Sequence, residues 1–551
     1  MDKRLFLAFA LSGLVVVATP FLFPRQRTPP APVTTPAAPA AMAPQGPTAR
    51  PQEGAPGATA EAKPAATAKA IPAAPAETLN VNTAVSHMTF STLGAAPLEV
   101  ELLGFTSLGR AKGVVSIHQV NEPLFRYRLL SGRDTIDLSK IAFVATRGTG
   151  PDGGQQVVFR GVSGAMEIAL QYTLTPANYL GTVRAIVRNA AAPAFLLVDL
   201  PTGFVSQEGD TVGDIMSLAY AVKPQKESAK GIPFRKLDPG EQRLETGPMF
   251  WVIAKNKYFI VGLLTSEKAP TIAEVKFEGG ARTSKMATRG QATAVLPLTD
   301  GATTFDVYAG PQEWERMRAL GRDFENANPY GGFLQGIVQP FATIVMRALL
   351  WMKRSTHLNY GWVLVIFGIA IRLLMWPLNQ KAMRASLRLQ VLQPELQALQ
   401  AKYKSDPQKQ QQEIMKLYTA HGMSPLSPLL GCLPMLLPMP VLFALFFVFQ
   451  NTIEFRGVSF MWLPDISLKD PTYALPLLMG ASMYVLSWIG MRNAPPNPQA
   501  KMMAYMMPAM MTFFLINFAS GLNLYYTIQN LAALPQQWMI ANERSKGAKP
   551  A

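Results

Sequence analysis

Hydrophobic and polar positions along the chain change their rhythm four times, and each change predicts a different kind of element. Residues 5–23 form an uncharged apolar run behind Lys3 and Arg4. At about 1.5 Å per residue the run is roughly 28 Å long, enough to cross a hydrocarbon core. It closes on Pro20-Phe-Leu-Phe-Pro rather than on a small-residue cleavage site, so a retained transmembrane anchor over 1–23 is predicted rather than a cleaved signal peptide. Residues 24–76 are dominated by Ala, Pro, Thr and Gly and read as an extended, disordered linker, because such a segment cannot bury enough apolar surface to offset its conformational entropy.

From 77 to 322 the pattern becomes short runs with a period of two, such as Leu98-Glu-Val-Glu-Leu-Leu, Gln156-Val-Val-Phe-Arg and Thr304-Phe-Asp-Val-Tyr, separated by Gly, Pro, Asp and Asn. Alternation of this kind is the signature of half-buried strands, and many of them in succession predict a large antiparallel β-sandwich. A helix starting near Pro311-Gln-Glu-Trp is expected to close it. Residues 323–358 contain an apolar stretch interrupted by Pro340 and Arg347, which fits an interfacial amphipathic helix better than a span.

Five longer apolar stretches follow, Tyr360 to Leu378, Leu429 to Phe449, Tyr473 to Met491, Met502 to Phe518 and Leu522 to Ile540, and they predict a five-helix membrane core over 359–540. Their one charged residue is Arg372. An arginine at the bilayer centre costs about 2.5 to 3.5 kcal/mol on insertion scales, so such a charge faces a bundle interior or a wet cavity. With no Asp or Glu in any of the five stretches, Arg372 is expected to stand unpaired in a wet groove, open to something anionic from outside the protein.

Loop charges set the orientation. Residues 379–428 carry Lys381, Arg384, Arg388, Lys402, Lys404, Lys409 and Lys416 against three acids, the loop 450–472 has no basic excess, the next holds Arg492 and Lys501, and the tail 541–551 is basic again. The positive-inside rule then places both termini in the cytoplasm and the β-sandwich on the far side, the periplasm of a Gram-negative cell. Within 379–424, apolar residues at helical spacing and a cap at Asp406-Pro407 predict a cytoplasmic helical hairpin. Its lysines are either a solvated face or a docking surface for ribosomes, targeting factors or anionic lipid.

Composition supports this division. Across 551 residues the chain is 49% hydrophobic and only 16% charged, with a net charge of +16; no base-stacking motif accompanies it, so membrane topology explains the charge better than a nucleic-acid partner, and no direct nucleic-acid partner is expected. The single cysteine, Cys432, lies in an apolar stretch, and the sandwich holds only two histidines, His87 and His118, with no metal-ligand or triad spacing around them. No cofactor, metal or catalytic residue is predicted, and the chain is not expected to be an enzyme. Met502, Met503, Met506, Met507, Met510 and Met511 crowd one span, joined by Met435 and Met439 on another; they are either ordinary packing or a flexible surface for varied apolar segments, with Met435, Met439, Met503, Met506, Met507 and Met510 the candidates for such a surface.

Six motifs in order, Arg372-Leu-Leu-Met-Trp-Pro-Leu, Leu392-Gln-Pro, Gly431-Cys-Leu-Pro with Met439-Pro440, Asp465-Ile-Ser-Leu-Lys-Asp-Pro, Leu475-Pro-Leu-Leu-Met-Gly and Ser520-Gly-Leu-Asn-Leu-Tyr-Tyr, resemble the YidC/Oxa/Alb insertases. The anchor, linker and sandwich are similar to the Gram-negative form. The chain departs from the family pattern at Pro438 and in the lengthened Ser424-Pro-Leu-Ser-Pro-Leu-Leu segment. The resemblance implies a bacterial inner-membrane insertase and chaperone for nascent membrane proteins, acting alone or with the Sec translocon. It also implies a periplasmic β-supersandwich, a hydrophilic groove at Arg372, and Tyr525 and Tyr526 at a motif position where they line that groove or anchor the membrane interface. Against it stand two other readings, a secondary transporter, for which the acid or histidine relay is missing, and a membrane-anchored carbohydrate-binding protein.

Overall fold

The computed structural model describes residues 77–547 apart from 110–111, 151–152, 267–270, 283–285, 329–334, 405, 422–438 and 493–497. The predicted anchor and linker, and the first part of the second apolar stretch, lie outside the described residues. Between Thr78 and Pro311 the chain is almost wholly antiparallel β. Thr78–Asn82, Ser86–Ser91, Ala96–Thr106 and Val114–His118 form a four-stranded sheet, and the remaining strands form one of fourteen. The large sheet curls over on itself. Tyr127 and Tyr172 come from strands near its opposite ends, yet their hydroxyls lie 2.8 Å apart in the core, and Tyr172 donates onward to the Ala95 carbonyl at 2.8 Å. Phe90 of the small sheet packs edge-on against the Tyr172 ring, so both sheets share one core.

The closing helix, α2 in chain order after the short α1 (Thr211–Met216), begins later than the proline suggested. Pro311 ends the last strand and α2 runs Trp314–Ala319, because the Pro311 carbonyl is taken up by the Tyr308 hydroxyl and the chain must first turn at Glu313. Next comes α3, Gln335–Thr356, whose buried stripe includes Val338, Ala342, Val345 and Leu349 while Phe341, Ile344 and Trp351 remain exposed.

The helix that carries Arg372, α4, spans Tyr360–Val391 without interruption, so the first arm of the expected hairpin begins inside it. Nothing in Lys381–Leu389 stops a helix, and the break comes only at Leu392, just before Pro394. α5 (Gln393–Lys402) and α6 (Pro407–Ala420) follow, with the Asp406 carboxylate capping the Lys409 amide at 3.0 Å. The rest is α7 (Met439–Asn451), α8 (Ala474–Met491), α9 (Pro498–Leu515) and α10 (Ser520–Gly547). By length and apolarity, Tyr360–Lys381 and Ala474–Met491 are sufficient to cross a membrane, and Ala504–Leu515 is a shorter apolar segment.

The loop between α7 and α8 joins the two halves of the molecule. Its Arg456 meets the Glu208 carboxylate of the β-domain at 2.9 Å, with both side chains 5% exposed, and donates to the Thr106 carbonyl at 2.9 Å. Tyr258 reaches Ser467 at 3.1 Å, and the Glu454 carboxylate accepts from the Trp314 amide at 3.1 Å. The other Glu454 oxygen is buried without a hydrogen-bond partner among the described residues. Burial, reinforced by the nearby Glu313, pushes the Glu454 carboxyl up to about 7.

Glu454 therefore binds its proton more tightly folded than unfolded. The junction is expected to be most stable below about pH 4.5 with respect to this group and to lose of the order of 3 kcal/mol as pH rises through 7. Thermal unfolding of the full chain in detergent at pH 5.5 and 8 should show about 2 kcal/mol of this loss, and Glu454→Gln should remove most of the difference; an unchanged pH response in the variant would assign it elsewhere.

Candidate functional site

A polar seam between α4 and α10 forms the candidate site. Along α10, Gln529 and Gln536 stand seven residues apart, two helical turns, on the face that meets α4. Gln529 donates to the Gly368 carbonyl at 2.8 Å and to the Tyr525 hydroxyl at 3.1 Å. Gln536, fully buried, donates to the Trp376 carbonyl at 3.0 Å and accepts from an Arg372 terminal nitrogen at 2.9 Å. Gly368 makes the approach possible, since a Cβ there would lie 3.1 Å from Ile528. On its other side α10 meets α8, where Asn530 donates to Ser482 at 3.1 Å and Gly480 leaves room for Thr512.

Arg372 is thus not without a partner in its own chain, as the sequence suggested. Its partner is a neutral amide, which satisfies a donor without neutralising the charge. The guanidinium is half-buried, its Nε is buried with no hydrogen-bond partner among the described residues, and no carboxylate there pairs with it. Leu373 and Leu374, the next residues along, are exposed, so Arg372 sits at the edge of an apolar face rather than in a sealed core. Measured along α4 it lies nine residues before Lys381, about 14 Å of helix.

Of the two tyrosines, Tyr525 is buried in the seam with its ring 6.1 Å from that of Phe367, and Tyr526 is half-buried beside it. The methionines do not act as one set. Met506 and Met510, together with Met502, stand at four-residue intervals on the exposed face of α9 and are continued by Phe513, whereas Met507 is half-buried. Met435 lies outside the described residues, and nothing is described of the Met439 or Met503 side chains. The amide ladder was not among the expected site residues, although its signal was present as uncharged Gln and Asn at helical spacing in the last apolar stretch. Among the described residues no group of three or more His, Cys, Asp and Glu could hold a metal.

Comparison with known proteins covers most of the chain. The family described as the 60Kd inner membrane protein matches residues 351–547, and the YidC periplasmic domain matches 78–344. A membrane protein insertase YidC from Anaeromyxobacter dehalogenans is 30% identical over 400 residues, covering 71% of this chain and 68% of that one. Its counterpart from Chlorobium luteolum is 33% identical over 324 residues, 56% of this chain and 54% of that one. Among solved structures, an active YidC insertase with its first transmembrane domain resolved is similar over 84% of this chain and 92% of that chain, at 19% identity and a TM-score of 0.34. A galactose mutarotase-like protein from Lactobacillus casei is similar over 43% of this chain and all of that chain, at 9% identity and a TM-score of 0.29.

Replacing Gln536 by Leu keeps the volume but strips Arg372 of its acceptor inside the bundle. Loss of a hydrogen bond to a charged group is expected to cost about 1.5 to 3 kcal/mol, read as a lower thermal midpoint for the purified chain, while Gln537→Leu serves as the neighbouring control. A midpoint no lower than the control's would show that the amide does not support Arg372.

Proposed function

The chain belongs to the YidC family of membrane protein insertases, and from that premise we propose that it inserts and folds nascent inner-membrane proteins, alone or beside the Sec translocon, through a hydrophilic groove whose working charge is Arg372. The observation that carries this reading is a half-buried guanidinium held by an amide and by no carboxylate among the described residues. In the proposed topology both termini are cytoplasmic, five helices cross the membrane, α3 lies along its periplasmic surface, and α5 with α6 extends into the cytoplasm, where ribosomes or targeting factors dock.

A polar or acidic tail of a nascent chain enters from the cytoplasm. It exchanges bulk water for the guanidinium and the amides of Gln529 and Gln536, which lowers the desolvation cost of crossing. Because Gln536 holds Arg372 without cancelling its charge, the contact with a passing carboxylate is attractive and also weak enough to release. The apolar segment of the same substrate takes a different surface, the exposed stripe Met502, Met506 and Met510 on α9, whose flexible thioethers repack around varied side chains. The groove and the stripe together suit a substrate that is polar at one end and apolar next to it.

Arg372→Ala is expected to reduce insertion of reporter proteins with acidic translocated tails about ten-fold while reducing neutral-tailed reporters less than two-fold, and Arg372→Lys should retain much of the activity. Insertion is read by protease protection in cells depleted of the native protein. Equal insertion of both reporter classes by the alanine variant would sink the groove mechanism.

A further inference from the structure

Away from the Arg372 seam, a cleft of about 1240 Å³ lies between the β-domain and the ends of the helices that face it. Its two walls differ in chemistry. The β-domain wall presents Lys230, Arg235, Lys236, Lys255 and Lys257, Lys469 of the α7–α8 loop adds a sixth cation, and Asp210 is the one carboxylate among the lining residues. The opposite wall is apolar, made by Phe446 and Phe449 at the C-terminal end of α7, Phe518 before α10 and Leu522 in its first turn.

Of the six cations only Lys230 forms a direct ion pair among the described residues, with Glu245 at 2.8 Å and Glu227 at 2.9 Å. Lys255 is 6% exposed, and its ammonium donates to the Asn256 carbonyl at 3.3 Å; burial, partly offset by the nearby Asp214 carboxylate, pushes it down to about 8. Even with the buried Asp214 carboxylate close to Lys255 and Lys257, six cations against one lining carboxylate give the cleft an excess of positive charge suited to an anion. A free anion would use the basic wall and leave the aromatic one idle. The ligand that uses both carries an anionic phosphate on an apolar tail.

We propose that this cleft binds the headgroup of an anionic phospholipid from the periplasmic leaflet, with its phosphate on Arg235, Lys236, Lys255 and Lys469 and its upper acyl chain against the half-buried Phe446 and Phe518. The periplasmic domain forms the basic wall and the apolar wall consists of helix ends leading into the bundle, so the cleft opens where headgroup and chain meet. The bound lipid fills the gap between the two halves beside the Arg456–Glu208 contact and ties the β-domain to the bilayer surface. This inference rests on the membrane orientation of the chain and not on the groove mechanism.

The test is native mass spectrometry of the full chain released from micelles, titrated with phosphatidylglycerol or with phosphatidylcholine of the same acyl chains. Phosphatidylglycerol is expected to bind at least ten-fold more tightly. The exposed pair Arg235→Glu/Lys236→Glu should abolish that preference, since each basic residue near an anionic headgroup contributes about five-fold, while Arg147→Glu on a distant strand should leave it intact. Thermal unfolding unchanged in the double variant shows that it has folded; should it not fold, Lys469→Glu is read in its place, with at least a three-fold loss expected. Equal binding of the two lipids, a preference that survives charge reversal, displacement of the lipid by glycerol phosphate alone, or an acidic peptide that binds where phosphatidylglycerol does not would each overturn the proposal. Reporter insertion assayed on the same variants separates this outcome from that of the groove: a cleft without lipid preference in a chain that still inserts acidic-tailed reporters overturns only the lipid site.

Discussion

A guanidinium among apolar helices must be solvated by something, and the way this chain meets that demand governs the arrangement of the helical half. A carboxylate beside Arg372 would neutralise it and close the site; bare hydrocarbon would make it prohibitively costly. The amide of Gln536 is the intermediate solution, one charge-assisted hydrogen bond at 2.9 Å that leaves the net charge in place. The same requirement explains why α10 is polar along the face that meets α4. Gln529 and Gln536 each anchor to a backbone carbonyl of α4 on either side of Arg372, so the helix that bears the charge is positioned by the helix that solvates it. Membrane helices gain little from hydrophobic association with each other, and hydrogen bonds with small-residue contacts such as Gly368 and Gly480 take on the task of registration.

The opposite end of the bundle is held by a different device. In the α7–α8 loop Asp465 accepts from the Gly457 and Ser467 amides at 2.9 and 2.7 Å, and Asp470 accepts from Thr472 and Leu475 at 2.9 and 2.7 Å. The Ser520 and Gly521 amides at the start of α10 donate to Leu468 and Ile466 in the same loop, at 2.7 and 2.8 Å. This loop also supplies Arg456 to Glu208, a pair so buried that removing either partner would leave the other charge uncompensated. Rigid closure at this end and a half-solvated charge further along are complementary features.

Much of this was legible in the amino-acid sequence, and what was not has physical reasons. Arg372 stands out because a charge in an apolar run is costly wherever the helix packs. Its amide partner does not, because glutamine is cheap enough in a helix to attract no notice, and only contact with α4 decides which of the α10 amides face the arginine. The period of two announced strands, but strand order is non-local: Ala194–Asp199 pairs with Gly290–Pro297, about a hundred residues away. The full length of α4 was missed because hydropathy changes at Lys381 whereas helix propensity does not, and the membrane boundary was taken for a helix boundary. In α9 the four-residue spacing of Met502, Met506 and Met510 was readable, yet which face stays open depends on packing against α8, where the tilted rings of Tyr484 and Tyr505 lie 5.4 Å apart.

These two ends bear directly on how an insertase can work without leaking. A path for a polar tail that was wet at both ends would conduct ions, and one dry at both ends would admit nothing. In the proposed path the hydrogen-bonded loop and the docked β-domain close the periplasmic end, while the partly solvated Arg372 makes the cytoplasmic half receptive. On that proposal the substrate would enter against a wall that need not open, because its apolar segment would leave sideways past the exposed face of α4, where Leu373 and Leu374 border the arginine. In the proposed mechanism the charge would not pull the chain through; it would shorten the stretch of low dielectric that the tail must cross, and burial of the substrate's own apolar segment in lipid would drive the remaining distance.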